Sequence, residues 1–154
     1  MKNTKKQNTK PRYEVISYGG KYQVEPSLDL YEVEDFVGEK RYGLAICLNV
    51  VENNKVVEPF ATFTVSFGEF IGIKDAVYID TNNCNFAFQL KKQGFGVDTG
   101  ITKQSGFCTY PLWQFNEEFL KSADSKLYEL YSQKYDEYME AMNPSEDESP
   151  DLKM

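Results

Sequence analysis

The sequence predicts an α+β fold in which an antiparallel sheet of about five or six strands carries a C-terminal helix on one face. Three observations lead to this fold class. Runs of β-branched and aromatic residues that alternate with small or polar ones dominate the first two thirds of the chain. Turn residues separate these runs at short intervals, and a helical repeat appears only near the end. Because the last helix follows the strands, it cannot be the crossover of a βαβ unit.

The first predicted hairpin covers residues 12–25. The segments RYEVISY and KYQVE flank Gly19-Gly20, and both glycines tolerate the positive φ that a tight turn needs. We expect the second strand of this hairpin to stop at Pro26. The next segment, LDLYEVEDF, has a looser pattern and ends at Gly38.

The second predicted hairpin, over residues 41–67, has the clearest pattern. Its first strand places large apolar side chains on one face with a period of two, namely Tyr42, Leu44, Ile46, Leu48 and Val50. The turn is predicted at residues 52–55, because Asn accepts left-handed geometry. Pro59 lies early in the returning strand, where an edge or a bulge accepts a residue without an N–H.

The middle of the chain predicts shorter elements. AVYID at 76–80 indicates a strand, and residues 85–93 indicate a helix with Asn85 as its N-cap. The glycine-rich stretch 94–100 is interpreted as a flexible turn. An extended segment at 105–115, interrupted by Pro111, follows it.

The last helix is predicted over residues 125–142. Asn116 caps a short helical turn just before it, and Asp124 or Ser125 caps the helix itself. Its face consists of residues three or four positions apart: Leu127, Tyr131, Tyr135, Tyr138 and Met142. Asn143-Pro144 ends the helix.

The length of 154 residues fits one domain, which we place at 12–142. Residues 1–11 are expected to be a disordered basic leader and residues 143–154 a disordered acidic tail. All 24 acidic side chains and the other 12 basic ones lie after Arg12, so the body of the protein has a net charge of −12. Phosphates repel such a surface, and the folded domain is therefore not expected to bind nucleic acid.

The chain has neither a run of about 20 apolar residues nor an apolar segment after its first lysines, which argues against a membrane span and a secretory signal. Cys47, Cys84 and Cys108 are widely spaced and form no C-x-x-C pair, which argues against a zinc site. Reduced thiols fit a cytoplasmic protein best.

The sequence contains no motif that identifies a reaction. It contains no histidine, which excludes a Ser–His–Asp triad, a Cys–His pair and histidine metal ligands. An enzyme would need a thiol at Cys84 or Cys108 that a lysine activates, or two converging carboxylates. The glycines at 94–100 lack the helix N-terminus and the Lys-Ser/Thr pair of a phosphate loop. We therefore expect no cofactor and no metal, and rank an enzyme last.

Two segments supply the candidate binding residues. The loop YIDTNNCNF is the densest polar cluster, and its side chains can hold a ligand or satisfy the backbone of the loop itself. The segment TKQSGFCTYPLWQF contains the only tryptophan and three other aromatic residues, which form either core or a partner-binding patch. The candidates are Tyr78, Asp80, Asn82, Asn83, Gln104, Ser105, Tyr110 and Trp113. As a hypothesis, Trp113 belongs to the packed face of the sheet.

Four segments of the chain resemble a bacterial family known as domain of unknown function 4313: FGEFIG (67–72), YIDTNNC (78–84), TGITKQSGFCTYPLWQF (99–115) and YSQKYDEY (131–138). The resemblance covers residues 12–140. It implies a small cytoplasmic protein of Gram-positive gut bacteria that is associated with mobile elements. It implies no reaction, ligand or catalytic residue.

Three functions follow as expectations. The first is a non-enzymatic accessory or protein-binding domain with a protein partner and no membrane contact. The second is an acidic nucleic-acid mimic that inhibits a defence nuclease of the restriction or CRISPR type. It requires carboxylates grouped on one surface, whereas ordinary acidic solubility does not. The third is a small enzyme that uses cysteine or carboxylates. The sequence leaves the oligomeric state open.

Overall fold

Strands dominate the computed structural model, which describes residues 10–35 and 37–142. Sheet A is an antiparallel meander in chain order, and its strands are β1 (Tyr13–Ser17), β2 (Gly20–Glu34), β3 (Lys40–Glu52) and β4 (Lys55–Thr62). The β3–β4 turn is Asn53-Asn54, with φ of 53° and 66°. Two positive φ values match the right-handed twist of a tight hairpin, and Asn tolerates them.

Sheet B is also antiparallel, in the order β5-β6-β8-β7. Its strands are β5 (Thr64–Val65), β6 (Ala76–Ile79), β7 (Val97–Ser105) and β8 (Cys108–Gln114). The chain passes from sheet A to sheet B at the fully buried Phe63. The N–H of Phe63 donates to the carbonyl of Ile46 in sheet A (2.8 Å), and its carbonyl accepts from the N–H of Asp80 beside sheet B (3.0 Å). One residue therefore joins the two sheets.

Three helices occur in the described residues: α1 (Ala87–Lys92), α2 (Glu117–Ala123) and α3 (Ser125–Met142). The side chain of Asn116 accepts from the N–H of Phe119 (3.0 Å) at the start of α2, and that of Asp124 accepts from the N–H of Leu127 (3.1 Å) at the start of α3. Both predicted caps are confirmed. Each satisfies a backbone donor that the first helical turn leaves without a partner.

The buried face of α3 consists of tyrosines, namely Tyr128, Tyr131, Tyr135 and Tyr138. The hydroxyl groups of the first three bind the segment that leads into β6. Tyr128 donates to the carboxylate of Asp75 (3.0 Å), Tyr131 accepts from the N–H of Asp75 (3.0 Å), and Tyr135 donates to the carbonyl of Ile71 (2.9 Å). A tyrosine buries its ring and still forms a hydrogen bond at its tip, which an aliphatic residue cannot do.

The predicted α+β class and the C-terminal helix are confirmed. The strands number eight in the described residues and form two sheets, instead of five or six in one. The long hairpin predicted at 41–67 is confirmed as β3 and β4 as far as Thr62, whereas Thr64–Val65 forms β5 and pairs with β6 in sheet B. On α3, the buried stripe contains Tyr128, whereas Met142 is 49% exposed.

Three local predictions are wrong. Strand β2 does not stop at Pro26. Strand β1 begins at Tyr13, opposite Val24, so β2 is an edge strand at Pro26, and an edge tolerates a residue without an N–H. Asn85 does not cap α1; Phe86 occupies that position, and the Asn85 side chain accepts from the Ser17 hydroxyl (3.2 Å). Much of the turn predicted at 94–100 belongs to β7, where Gly100 lies in a bulge with φ of 87°.

The predicted acidic tail at 143–154 lies outside the described residues. The predicted basic leader does so as well, except for its last two positions.

Candidate functional site

The outer face of sheet B carries three half-buried aromatic rings. Side chains alternate along a strand, so the partners Val77 and Trp113 face the core while Tyr78 and Tyr110 face outward. Phe67 packs between the two tyrosines, with ring centroids 5.5 Å from Tyr78 and 5.4 Å from Tyr110. We call Phe67, Tyr78 and Tyr110 the aromatic face of sheet B.

Polar groups border this aromatic face. The ammonium group of Lys103 lies 5.4 Å from the ring centre of Phe67 and 3.0 Å from a carboxylate oxygen of Glu69. The hydrogen bond with the Cys108 thiol, burial and the charge of Asp80 together raise the pKa of Tyr110. An apolar centre with a polar rim is the usual composition of a protein interface.

The polar loop after β6 satisfies its own hydrogen bonds. The two carboxylate oxygens of Asp80 accept from the backbone N–H (3.2 Å) and the side-chain amide (2.9 Å) of Asn83. The carbonyl of Asp80 also accepts from the N–H of Cys84 (2.8 Å). Asn82 is exposed. Asp80 and Asn83 therefore shape the loop, and Asn83 is exposed to solvent as Asn82 is.

The β7–β8 hairpin ends in an unusual turn. Gly106 has a φ of 63°, and the side chain of Phe107 beside it is fully exposed. Gln104 and Ser105, just before the turn, are exposed as well. A turn requires glycine or small polar residues, but it does not require an exposed phenylalanine. On β7, the side chains of Val97 and Ile101 are 69% and 44% exposed.

The outer strands differ in how their edges are covered. At β1, the side chain of Gln89 accepts from the N–H (2.8 Å) and donates to the carbonyl (2.9 Å) of Ile16. Gln93 contacts the N–H (3.2 Å) and the carbonyl (2.8 Å) of Glu14 in the same way. Strand β4 contains Pro59 and lies beside two register shifts, which disfavour pairing with another strand.

Strand β7 is one of the two outer strands of sheet B, and the other, β5, is only two residues long. It contains one bulge, between Asp98 and Thr102, and no proline. No side chain of the described residues caps it with paired backbone hydrogen bonds as Gln89 and Gln93 cap β1. Exposed apolar residues lie along it and at its turn. Of the edges of β1, β4 and β7, it is the one least protected against a further strand.

The cysteines are free thiols. Cys84 is buried, and burial together with the charge of Asp80 raises the pKa of its thiol to about 12. Burial, reinforced by the charge of Asp29, raises the pKa of Cys47 as well. At neutral pH, the Cys84 thiol is therefore protonated and a poor nucleophile.

The structure brings only some of the predicted site residues together. Tyr78, Asp80 and Tyr110 lie on or beside the aromatic face of sheet B, and Asn83 joins them through Asp80. Asn82 lies in the same loop as Asp80 and Asn83 and is exposed, Gln104 and Ser105 lie at the hairpin end, and Trp113 lies in the core. Sequence reasoning missed Phe67, Lys103 and Phe107. The sequence does contain one signal for Phe107: the three residues SGF separate two extended runs, which indicates a tight turn there.

Among residues 10–35 and 37–142, no group of three or more cysteine or carboxylate side chains is placed to hold a metal ion. In the same residues, no helix combines the length and the apolar character that crossing a bilayer requires.

A family model described as Domain of unknown function (DUF4313) matches residues 31–141. The match begins within β2 and includes sheet B and all three described helices. No curated protein shows a significant similarity to the chain. No solved structure does so either.

Proposed function

The chain belongs to the DUF4313 family, and we propose that it is a non-enzymatic protein-binding domain whose partner contacts sheet B. One observation carries this proposal: β7 is an uncapped edge strand next to the aromatic face of sheet B, and Phe107 is fully exposed at its turn. Aromatic residues dominate the binding energy of many interfaces.

The comparison of edges supports the same surface. The β1 edge is capped by glutamine side chains, and β4 carries a proline, so of these three edges β7 offers a strand from a partner the fewest obstacles. The high pKa of the Cys84 thiol favours a binding role over thiol chemistry. Free cysteines fit the reducing cytoplasm, in which we place the protein. The association with mobile elements rests on the family resemblance alone.

The test is affinity capture from a lysate of the native host, with the full chain as bait and mass spectrometry to quantify the retained proteins. We expect Phe107→Asp and Ile101→Lys to release a partner that the unchanged chain retains. Val56→Lys is the matched control, because Val56 is 52% exposed on the β4 edge. Retention by Phe107→Asp and Ile101→Lys equal to that of Val56→Lys would refute the proposed surface.

A nucleic-acid mimic is the second candidate, and one feature favours it. A shallow groove along α3 is lined by the carboxylates of Glu117, Glu129, Asp136, Glu137 and Glu140. Within the described part of the chain, however, three of the five lie within 4.0 Å of a lysine: Glu117 of Lys121, Asp136 of Lys74 and Glu137 of Lys134. This local compensation weakens the field that a basic groove would recognise.

The mimic predicts inhibition of DNA cleavage by a defence nuclease. Glu129→Gln and Glu140→Gln should weaken the inhibition, because these two residues have no lysine or arginine within 4.0 Å among the described residues. Undiminished cleavage at excess protein would remove this candidate.

A further inference from the structure

A cleft that shares no residue with the aromatic face of sheet B lies between the end of β2, the start of β3 and the last turns of α3. Its volume is about 370 Å³, which is in the range of small-molecule sites of roughly 300–1,000 Å³. Its walls are aromatic and consist of Tyr42, Phe70, Tyr135 and Tyr138. Three cationic side chains line it together with two carboxylates: Lys40, Arg41 and Lys134 with Glu32 and Glu137. These five side chains have a net charge of +1, in a protein whose body has a net charge of −12.

Arg41 is held in a defined position. Its Nε donates to Oδ2 of Asp35 at 2.9 Å, and the guanidinium lies 4.1 Å from the ring centre of Tyr138. The Asp35 side chain is fully buried and also accepts from the backbone N–H groups of Val37 (3.0 Å) and Glu39 (2.9 Å). Burial alone would raise the pKa of Asp35, but these hydrogen bonds and the Arg41 charge lower it. Asp35 therefore stays ionised and fixes Arg41 at the wall of the cleft.

The two lysines are held less firmly. Lys40 lies 3.4 Å from a carboxylate oxygen of Glu32, and Lys134 lies 4.0 Å from one of Glu137. Their side chains are 71% and 53% exposed. Exposed ion pairs contribute little to stability, so a bound anion can replace either glutamate at small cost.

The geometry points to a binding site for a small organic anion: a carboxylate or phosphate on a flat apolar body, which stacks on the tyrosine walls while Arg41, Lys40 and Lys134 surround its charge. The planar guanidinium matches a two-oxygen anion. This inference does not depend on the protein partner proposed for sheet B, because the cleft uses none of the residues of that surface.

The test uses the full chain and three probes that share one ring system: 2-naphthoate, 2-naphthyl phosphate and neutral 2-naphthylmethanol. Each is titrated while backbone amide resonances are recorded. We expect saturable shifts at residues 40–42 and 134–141 with at least one of the two anions, and binding of the neutral alcohol about 10-fold weaker or more. The better of the two anions identifies the charged group that the site takes. Equal binding of alcohol and anions, or shifts confined to other regions, would overturn the inference.

Variants locate the charge contacts. Arg41→Gln should weaken anion binding about 10-fold or more, and Lys40→Gln and Lys134→Gln about 2- to 5-fold each. Because Arg41→Gln leaves the buried Asp35 without its cation, the two lysine variants test the site without that risk to folding. Lys21→Gln is the control, since Lys21 is 70% exposed and pairs with Glu14 on sheet A. Lysine variants that bind the anion as tightly as Lys21→Gln does would contradict the inference.

Discussion

Asp75 connects α3 to sheet B through both its backbone and its side chain. Its carbonyl accepts from the N–H of Phe115 (2.8 Å), its N–H donates to Tyr131, and its carboxylate accepts from Tyr128. Burial raises the pKa of this carboxylate against the opposing effect of the Tyr128 hydrogen bond, with smaller effects from Lys74, Glu117 and Asp136. Its φ of 67° is a conformation that Asn adopts more readily than most residues.

A raised pKa in the folded state has a defined consequence for stability. The contribution of Asp75 to the free energy of unfolding is fully present below the pKa that Asp75 has in the unfolded chain. This contribution is lost as the pH rises through the pKa of Asp75 in the folded protein. Asp75→Asn keeps an acceptor for Tyr128 and removes the charge. We therefore expect this variant to equal or exceed the stability of the unchanged protein at pH 7, with the difference shrinking towards pH 4.

Urea denaturation at a series of pH values measures this difference. Asp98→Asn is the control, because Asp98 is exposed and its carboxylate accepts from a nearby backbone N–H, that of Gly100 (2.9 Å). Asp75→Asn could instead be less stable than the unchanged protein, by more at pH 7 than at pH 4. That result would show that the charge itself stabilises the fold.

Trp113 is fully buried on the core side of β8, where its ring lies 5.6 Å from that of Phe63. We expect Trp113→Ala to destabilise the protein by about 3–5 kcal/mol, because it leaves a large cavity. The indole N–H has no hydrogen-bond partner among the described residues, so Trp113→Phe removes a buried unsatisfied donor and should cost less. Thermal unfolding measures both. A melting curve unchanged by Trp113→Ala would contradict this placement.

At single positions, the sequence predicts most reliably where one local rule decides. The caps at Asn116 and Asp124 follow from helix ends alone. Asp80 and Asn83 behave as a self-satisfied turn, which was one of two open interpretations. The role of Asp75 could not be predicted, because its partners Tyr128 and Tyr131 lie more than 50 positions away in the chain.

Among the elements, α1 acts as a cover for the edge strand β1. Gln89 and Gln93 are one helical turn apart, and they contact the backbones of Ile16 and Glu14, which are two strand positions apart. The spacing of four on a helix therefore matches the spacing of two on a strand. Each glutamine amide supplies one donor and one acceptor, as a neighbouring strand would.

Replacing both glutamines should expose this edge. We expect Gln89→Ala with Gln93→Ala to lower the free energy of unfolding by roughly 1–3 kcal/mol, since up to four hydrogen bonds are lost. Amide hydrogen exchange at 13–17 should accelerate, and self-association should increase. Gln23→Ala, at an exposed position of β2, is the control. Unaltered exchange at 13–17 would mean that the glutamine contacts do not cover β1.

Element boundaries were predicted where pattern and pairing agree, as in the hairpin of β3 and β4. Pro26 was misinterpreted because the sequence does not show where β1 begins, and only its start at Tyr13, opposite Val24, makes β2 an edge strand at Pro26. The glycines before β7 were misinterpreted for a related reason. A bulge and a flexible turn place similar demands on the backbone, and only the pairing with β8 distinguishes them.

At the scale of the whole molecule, both sheets and all three described helices contribute to one hydrophobic core. Phe63 lies at its centre, with ring centroids 5.3 Å from Phe95 and 5.6 Å from Trp113. We therefore expect one cooperative unfolding transition. Trp113 is the only tryptophan, so its fluorescence reports on sheet B, while far-UV circular dichroism reports on all elements. Coinciding transitions are expected, and two separate midpoints would indicate that the sheets unfold independently.

The number of sheets could not be predicted, because the strand signal continues through Phe63 while its pairing partner changes from β3 to β6. The candidate surface was predicted in part. The aromatic density of residues 102–115 was evident, but the division into outward Tyr110 and inward Trp113 depends on register.

Amide hydrogen exchange on the complex with the captured partner tests the proposed binding surface most directly. Binding at sheet B should slow exchange across Val97–Ser105 and leave Lys55–Thr62 on the opposite outer strand unchanged. If exchange slowed at Lys55–Thr62 and stayed unchanged at Val97–Ser105, the proposed binding surface would be contradicted.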